Sequence, residues 1–187
     1  MEVIDTEIID LKLIQPKYFK DSRGYFVESF KEDFIKKNFP DLQFIQDNES
    51  KSSFGVLRGL HFQKPPYEQT KLVRVVYGKV LDVAVDLRIG SPSFGMHKSF
   101  TLSDENGLQL LIPKGFAHGF LVLSETAIFQ YKVDETYKKE FEDRISFDDC
   151  TLDIDWKLPK SSIILSERDR IKKTFIQYKE GSEVFKY

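Results

Sequence analysis

The stretch KLVRVVYGKVLDVAVDLR, residues 71–88, is two apolar runs folded about Tyr77-Gly78-Lys79, and short β-prone runs of this kind recur along the chain. EIIDLKLIQP opens with alternation, GYFVESF follows a KDSRG turn, and LQFIQDN, MHKSFTLS and LQLLIP come after. HGFLVLSETAIFQYKV again reads as two strands, around Ser124-Glu125. Strands this short and this closely spaced cannot be built into a parallel sheet, which needs long crossovers, so they predict an antiparallel sandwich or barrel. One helix is expected, KEDFIKKNF at 31–39, where Phe34, Ile35, Asn38 and Phe39 recur near the 3.6-residue period. From DDCTLDIDWKLP onward the periodicity weakens, predicting loops and short helices packed against the sheet, with a tail from about residue 171 at the periphery.

No linker, repeat or low-complexity tract interrupts the 187 residues, which predicts a single domain. The net charge of −2 argues against bulk attraction to nucleic acid or an anionic membrane, while leaving room for a local basic pocket. The basic residues of RDRIKK, 168–173, read as a solvated face. Cys150 is the only cysteine, so no intrachain disulfide can form and a reducing compartment is expected. MEVIDTEIID lacks a basic segment followed by an apolar stretch, and no apolar run approaches the ~18 residues of a membrane span. The expectation is a cytoplasmic protein. Seventeen Phe and eight Tyr exceed what a minimal core needs, which leaves rings available for a ligand.

Histidine is scarce, occurring at 61, 97 and 118. His97, in GMHKSF, has no polar company and reads as a surface or edge-strand residue. The other two sit in related frames. GVLRGLHFQKPPYE places five residues between Gly55 and His61, then Gln63 and Glu68; GLQLLIPKGFAH places five between Gly107 and Pro113, then Gly115 and His118. These frames are similar to the two cupin motifs, in which strands of a small jelly-roll barrel point side chains inward. Metal-binding cupins carry a second histidine two positions after the first, on the same strand face. Here that position is Gln63, and an amide is a weak ligand, so a set of His61, Gln63, Glu68 and His118 is thin for zinc or iron.

Around these histidines, FKDSRGYFVESF, FIQDNESKSSFGVLRGLHFQKPPYEQTKLVRVVYGKVLDVAVDLR, IPKGFAHGFLVLSETAIFQYK and LSERD resemble, in order and spacing over roughly residues 1–170, the signatures of dTDP-4-dehydrorhamnose 3,5-epimerases. The resemblance implies an all-β, cupin-type jelly roll that inverts C3 and C5 of a dTDP-linked 4-keto-6-deoxyglucose through an enolate, without metal or cofactor, for dTDP-rhamnose biosynthesis. It implies His61 as the base, suited to the task by an imidazole pKa near ~6.5, with Asp169 of LSERD fixing its tautomer. Tyr131 matches the proton donor on the opposite face, and Lys71 the cation that meets the C4 oxygen; buried without such an anion, a lysine would be costly.

The same resemblance explains why VLRGLHFQ interrupts an apolar strand with Arg58 as well as His61, since Arg58 matches a holder of the diphosphate, a task for a planar guanidinium fork. It assigns further substrate contacts to Arg23, Glu28, Gln46, Asp47, Asn48, His118, Glu142 and Arg168, and a thymine-stacking ring to Tyr137. Two departures, FDDC at 147–150 in place of Trp-Asn-Asp-Pro and Phe62 in place of a common tyrosine, read as packing changes. Homodimers are implied, with the N-terminal segment of one subunit, and so Arg23 and Glu28, bordering the other's pocket. Three alternatives stay open at this point: a single-position 3-epimerase using the same base and acid, a sugar-binding cupin without turnover, and a metal-dependent cupin oxygenase.

Overall fold

The computed structural model describes residues 1–181 and 185–187. The first strands are β1 (Glu2–Asp5), β2 (Lys12–Gln15), β3 (Tyr18–Asp21), β4 (Gly24–Val27) and, after helix α1 (Glu32–Asn38), β5 (Gln46–Ser53) and β6 (Leu57–Gln63). Next come β7 (Lys71–Tyr77), β8 (Lys79–Asp86), β9 (Arg88–Ile89), β10 (His97–Ser103), β11 (Gln109–Ile112), β12 (Phe116–Val122) and β13 (Thr126–Val133). β14 (Glu142–Arg144), helix α2 (Phe175–Lys179) and β15 (Phe185–Lys186) complete the order, with short 3-10 turns between them.

Two antiparallel sheets carry the architecture, one ordered β1-β2-β11-β7-β13-β5 and the other β10-β8-β12-β6-β14. They face one another as the antiparallel sandwich expected from the strand pattern, in the jelly-roll arrangement that the resemblance implies. Alternation sorts the side chains. Val73 and Val75 of β7, Val80 and Ala84 of β8, and Phe120 and Phe129 turn inward and form a shared core between the sheets. Phe120 and Phe129 stack across it with ring centroids 4.1 Å apart. Each fully buried aliphatic or aromatic side chain of this kind contributes about 1.5–3 kcal/mol.

The outer face of the six-stranded sheet is covered by α1, whose Ile35 packs on Ile14, Leu72 and Leu111. Glu32 and Asp33 in its first turn and Lys36 in its last complement the helix dipole. The outer face of the five-stranded sheet, with Leu57, Leu60, Leu81, Val83 and Val85, is covered by the C-terminal segments. Here the expectation of a peripheral tail is corrected: Phe175, Tyr178 and Phe185 enter this cluster, and α2 is fixed by a Thr174–Gln177 capping box. The FDDC stretch belongs to the same packing, since Phe147 is buried and Asp149 accepts from the backbone N–H groups of Thr151, Leu152 and Phe175. Phe62 meets the rings of Tyr178 and Phe185 edge-on.

Boundaries differ from the sequence reading in two places. Glu7–Leu11 is a turn rather than part of the first strand, because Thr6 Oγ1 bonds the carbonyls of Ile8 and Leu11 and closes the chain on itself. The LQFIQDN strand starts only at Gln46, the preceding Leu42 and Phe44 packing under α1 instead. His97 lies on β10, at the edge of its sheet, as expected.

Candidate active site

A cavity of about 810 Å³ opens between the two sheets. Its geometry begins with an irregularity in β6. Directly paired residues of antiparallel strands share a face, and β12 pairs His118 with His61 but Phe120 with Arg58, so two steps on β12 are matched by three on β6. The extra residue brings Arg58 and His61 to one face, where regular alternation over three positions would separate them. Gly59 sits at this point with φ +135°, and a Cβ there would come within 2.4 Å of Gly119 Cα. Leu57 and Leu60, also three apart, are sent to the outer core.

His61 and His118 therefore stand side by side on one wall, each with its own aspartate. His61 Nε2 lies 2.5 Å from Asp169 Oδ1, and Asp169 also accepts from Ser166 Oγ at 2.6 Å. Burial raises the Asp169 carboxyl, but the hydrogen bonds from His61 and Ser166 outweigh it, and the charge of nearby Arg144 adds to them, holding the group below the usual carboxylate range. An ionised Asp169 keeps the proton on Nε2 and leaves Nδ1 as the lone-pair nitrogen. His118 Nε2 faces both oxygens of Asp82, at 2.9 and 3.1 Å. Asp82 is fully buried on β8, in VLDVAVD.

The other sheet supplies the opposite wall. On β13, Phe129 and Tyr131 face inward; Tyr131 pairs with Asn48 of β5 and Val73 of β7, and Val133 with Lys71. Tyr131 and Lys71 line the cavity with His61. Burial pushes the Tyr131 phenol up, Arg58 opposing and Tyr137 adding to it, so the hydroxyl keeps its proton at neutral pH. Burial pulls the Lys71 ammonium down to about 8, partly offset by the Asp82 carboxylate. Arg58 donates through Nε to Ser52 Oγ at 3.1 Å, which leaves its two terminal nitrogens for another partner.

At the rim, Tyr137, Glu142 and Arg168 form one group. Tyr137 Oη donates to Glu142 Oε2 at 3.2 Å, and the Arg168 guanidinium is paired with Glu142 and reaches Tyr137 Oη. Arg168 and Asp169 of RDRIKK thus belong to the cavity wall, while Lys172 and Lys173 pair with Asp148 and Asp143.

The cavity gathers His61, Lys71, Tyr131, Asp169, Arg58, Gln46, Asn48, His118, Tyr137, Glu142 and Arg168. Three of the residues singled out by sequence lie elsewhere in this chain. Asp47 alternates to the outer face of β5, where it pairs with Lys132 at 2.7 Å. Arg23 pairs with Asp21 in the β3–β4 hairpin, and Glu28 with Lys31. Sequence reasoning missed Asp82, whose signal was a carboxylate within an apolar strand, and Ser52 and Ser166, whose partners are set by the fold. Gln63 is not directed to a metal: its side chain is buried and ties loops together. Among the described residues, no cluster of three or more His, Cys, Asp or Glu could hold a metal ion, and no helix is long and apolar enough to cross a membrane.

The family profile described as dTDP-4-dehydrorhamnose 3,5-epimerase matches residues 5–177. The chain is 50% identical over 171 residues to the dTDP-4-dehydrorhamnose 3,5-epimerase of Escherichia coli K12, covering 90% of this chain and 91% of that protein. It is 46% identical over 182 residues to the enzyme of the same description from Neisseria gonorrhoeae, covering 97% of this chain and 55% of the relative's length. The crystal structure of a Legionella pneumophila dTDP-6-deoxy-D-glucose-3,5-epimerase in complex with dTDP-4-keto-L-rhamnose superposes with a TM-score of 0.94 at 44% identity, over 100% of this chain and 98% of that one.

Proposed function

The chain belongs to the dTDP-4-dehydrorhamnose 3,5-epimerase family, and from that membership we propose that its cavity epimerises dTDP-4-dehydro-6-deoxy-D-glucose at C3 and C5 to dTDP-4-dehydro-L-rhamnose, a step of dTDP-L-rhamnose biosynthesis. It is an isomerase. The C4 ketone acidifies the hydrogens on its neighbouring carbons because an enolate can hold the resulting charge. Inversion then needs a base on one side, an acid on the other and a cation at the oxygen.

The observation that carries this reading is the pairing of opposed walls: His61 on one sheet, held by Asp169, Tyr131 on the other sheet, and Lys71 in the same cavity. His61 takes the proton through Nδ1, and Asp169 stabilises the imidazolium that forms. Lys71 meets the developing oxyanion. Tyr131 delivers a proton from the far wall as the enolate collapses. Arg58, held by Ser52, takes the diphosphate; Gln46, Asn48 and His118, its ring fixed by Asp82, contact the substrate along the cavity, and Tyr137, with Glu142 and Arg168 behind it, offers a ring to the thymine.

The proposal extends to a homodimer of a cytoplasmic enzyme. Arg23 and Glu28 are out of reach of their own cavity, and the hairpin that carries Arg23 exposes Phe19, Tyr25 and Phe26. Seated on a second copy, it would bring these groups, and Glu28 just beyond it, to the neighbour's rim. Turnover in deuterium oxide tests the reaction: label at C3 and C5 by NMR is the expected result, label at C3 alone would make the protein a single-position epimerase, and no label a binding protein.

A further inference from the structure

We infer that Gln63 is a positioning residue for nucleotide binding: it locks together the two rim loops so that the Tyr137 ring is held ready for the base. The inference rests on the reading of Tyr137 as the thymine platform. Gln63 ends β6, two residues beyond His61, and its side chain is buried. Both ends of its amide are engaged. Nε2 donates to the carbonyls of Tyr67 at 2.7 Å and Thr136 at 3.0 Å, and Oε1 accepts the N–H of Lys138 at 2.5 Å. The last two contacts flank Tyr137 on both sides, so the backbone of the residue that carries the ring is pinned to the end of the strand that carries the base.

Neighbouring contacts make this a two-loop clamp. Gln69 Nε2 donates to Glu135 O at 2.7 Å, and the Thr70 N–H to Asp134 Oδ1 at 2.7 Å. The Tyr67 and Phe141 rings lie 4.6 Å apart, with Lys138 Nζ over Tyr67. Among these, Gln63 alone bonds both loops from the sheet itself. An amide is required there: it offers two donors and one acceptor in one plane, which neither a histidine nor a carboxylate can match. Tyr137 is about half exposed, at 48%, and its ring is tied at Oη to Glu142 and Arg168, so ordering of the backbone that carries it lowers the entropic cost of stacking.

The test measures affinity for dTDP and for inorganic pyrophosphate by calorimetry in Gln63→Met, Tyr137→Ala and the double variant, with steady-state kinetics alongside. Base stacking of ordinary strength predicts that Gln63→Met weakens dTDP about tenfold and raises KM similarly, with kcat changed less than about twofold. Pyrophosphate, which has no base, should bind as before. The double variant should bind dTDP no more weakly than Tyr137→Ala, because both changes act on one ring. Gln63→Glu, similar in size but unable to donate to the two carbonyls, serves if the methionine variant does not fold, with the same result expected. Unchanged dTDP affinity in the Gln63 variants, or losses that add in full, would overturn the proposal. Unchanged affinity in Tyr137→Ala would instead remove the platform reading beneath it.

Discussion

The two histidine–aspartate pairs of the cavity wall look alike and are built differently. Asp82 reaches His118 from the adjacent strand and is sealed, at 0% exposure, while His118 shows only an edge to the cavity, its side chain 8% exposed. Asp169 reaches His61 from a 3-10 turn 108 residues away, and the His61 side chain remains 30% exposed. The same chemistry thus serves two ends. The buried pair fixes a ring in place and lends negative charge to Lys71, while the open pair has a nitrogen left to take a proton. Access, rather than the identity of the partners, separates base from scaffold.

The largest effect that would sharpen this contrast is expected at His61. His61→Asn should lower deuterium exchange at both carbons by ~100-fold to 10,000-fold while leaving dTDP binding nearly intact. His118→Asn, which removes a sugar contact, should lower it by no more than about tenfold. Equal losses in the two variants break the comparison.

Next come the groups facing the base. Lys71→Ala should slow exchange and inversion together by ~100-fold to 1,000-fold, since it withdraws charge from the enolate itself. Tyr131→Phe keeps the ring and removes only the acidic hydroxyl, so exchange should persist while inversion fails. NMR of label and product configuration distinguishes them; inversion at the parent rate in Tyr131→Phe would assign the acid elsewhere.

A smaller effect tests the charge lent by the buried pair. Lys71 stabilises the oxyanion only when protonated, so kcat/KM should fall as pH rises through about 8. Asp82 raises that value; Asp82→Asn should therefore move the alkaline fall to lower pH. A fall at the parent pH in this variant would detach Lys71 from the pair. The smallest effect expected is that of exhaustive chelation. Gln63 is committed to backbone groups, and the cavity already holds Lys71 and Arg58, so turnover should change less than about twofold. Metal-dependent recovery of lost activity would contradict this.

How much of this could be read from residues alone varies with the range of the interaction. The β7–β8 hairpin around Tyr77-Gly78-Lys79 and helix α1 follow from local periodicity and turn chemistry, and both fall close to where those patterns placed them. Asp169 was reached only through a family pattern, because nothing in its neighbourhood announces a histidine so distant in sequence. Asp82 stood in view as a carboxylate in an apolar strand, the same kind of signal that drew attention to Arg58 and His61. The outward turn of Asp47 depends on the phase of β5, which alternation sets only once the strand's pairing is known. The buried role of Phe175 and Tyr178 depends on a sheet face left bare by distant strands, and weak periodicity could not reveal it.

The irregularity of β6 also acts as a ruler. Along a strand, three residues span about 10 Å, so the guanidinium proposed to grip the diphosphate and the imidazole proposed to reach the sugar are separated by a length written into one continuous piece of backbone. Removing a single residue between them would restore regular pairing with β12 and keep both groups on the cavity face, but it would shorten the span between them to that of two residues, about 7 Å. The enzyme would then measure its substrate against the wrong mark, keeping its shape while losing the coincidence of grip and reaction on which selection of a whole nucleotide sugar, over a free sugar or a bare nucleotide, depends.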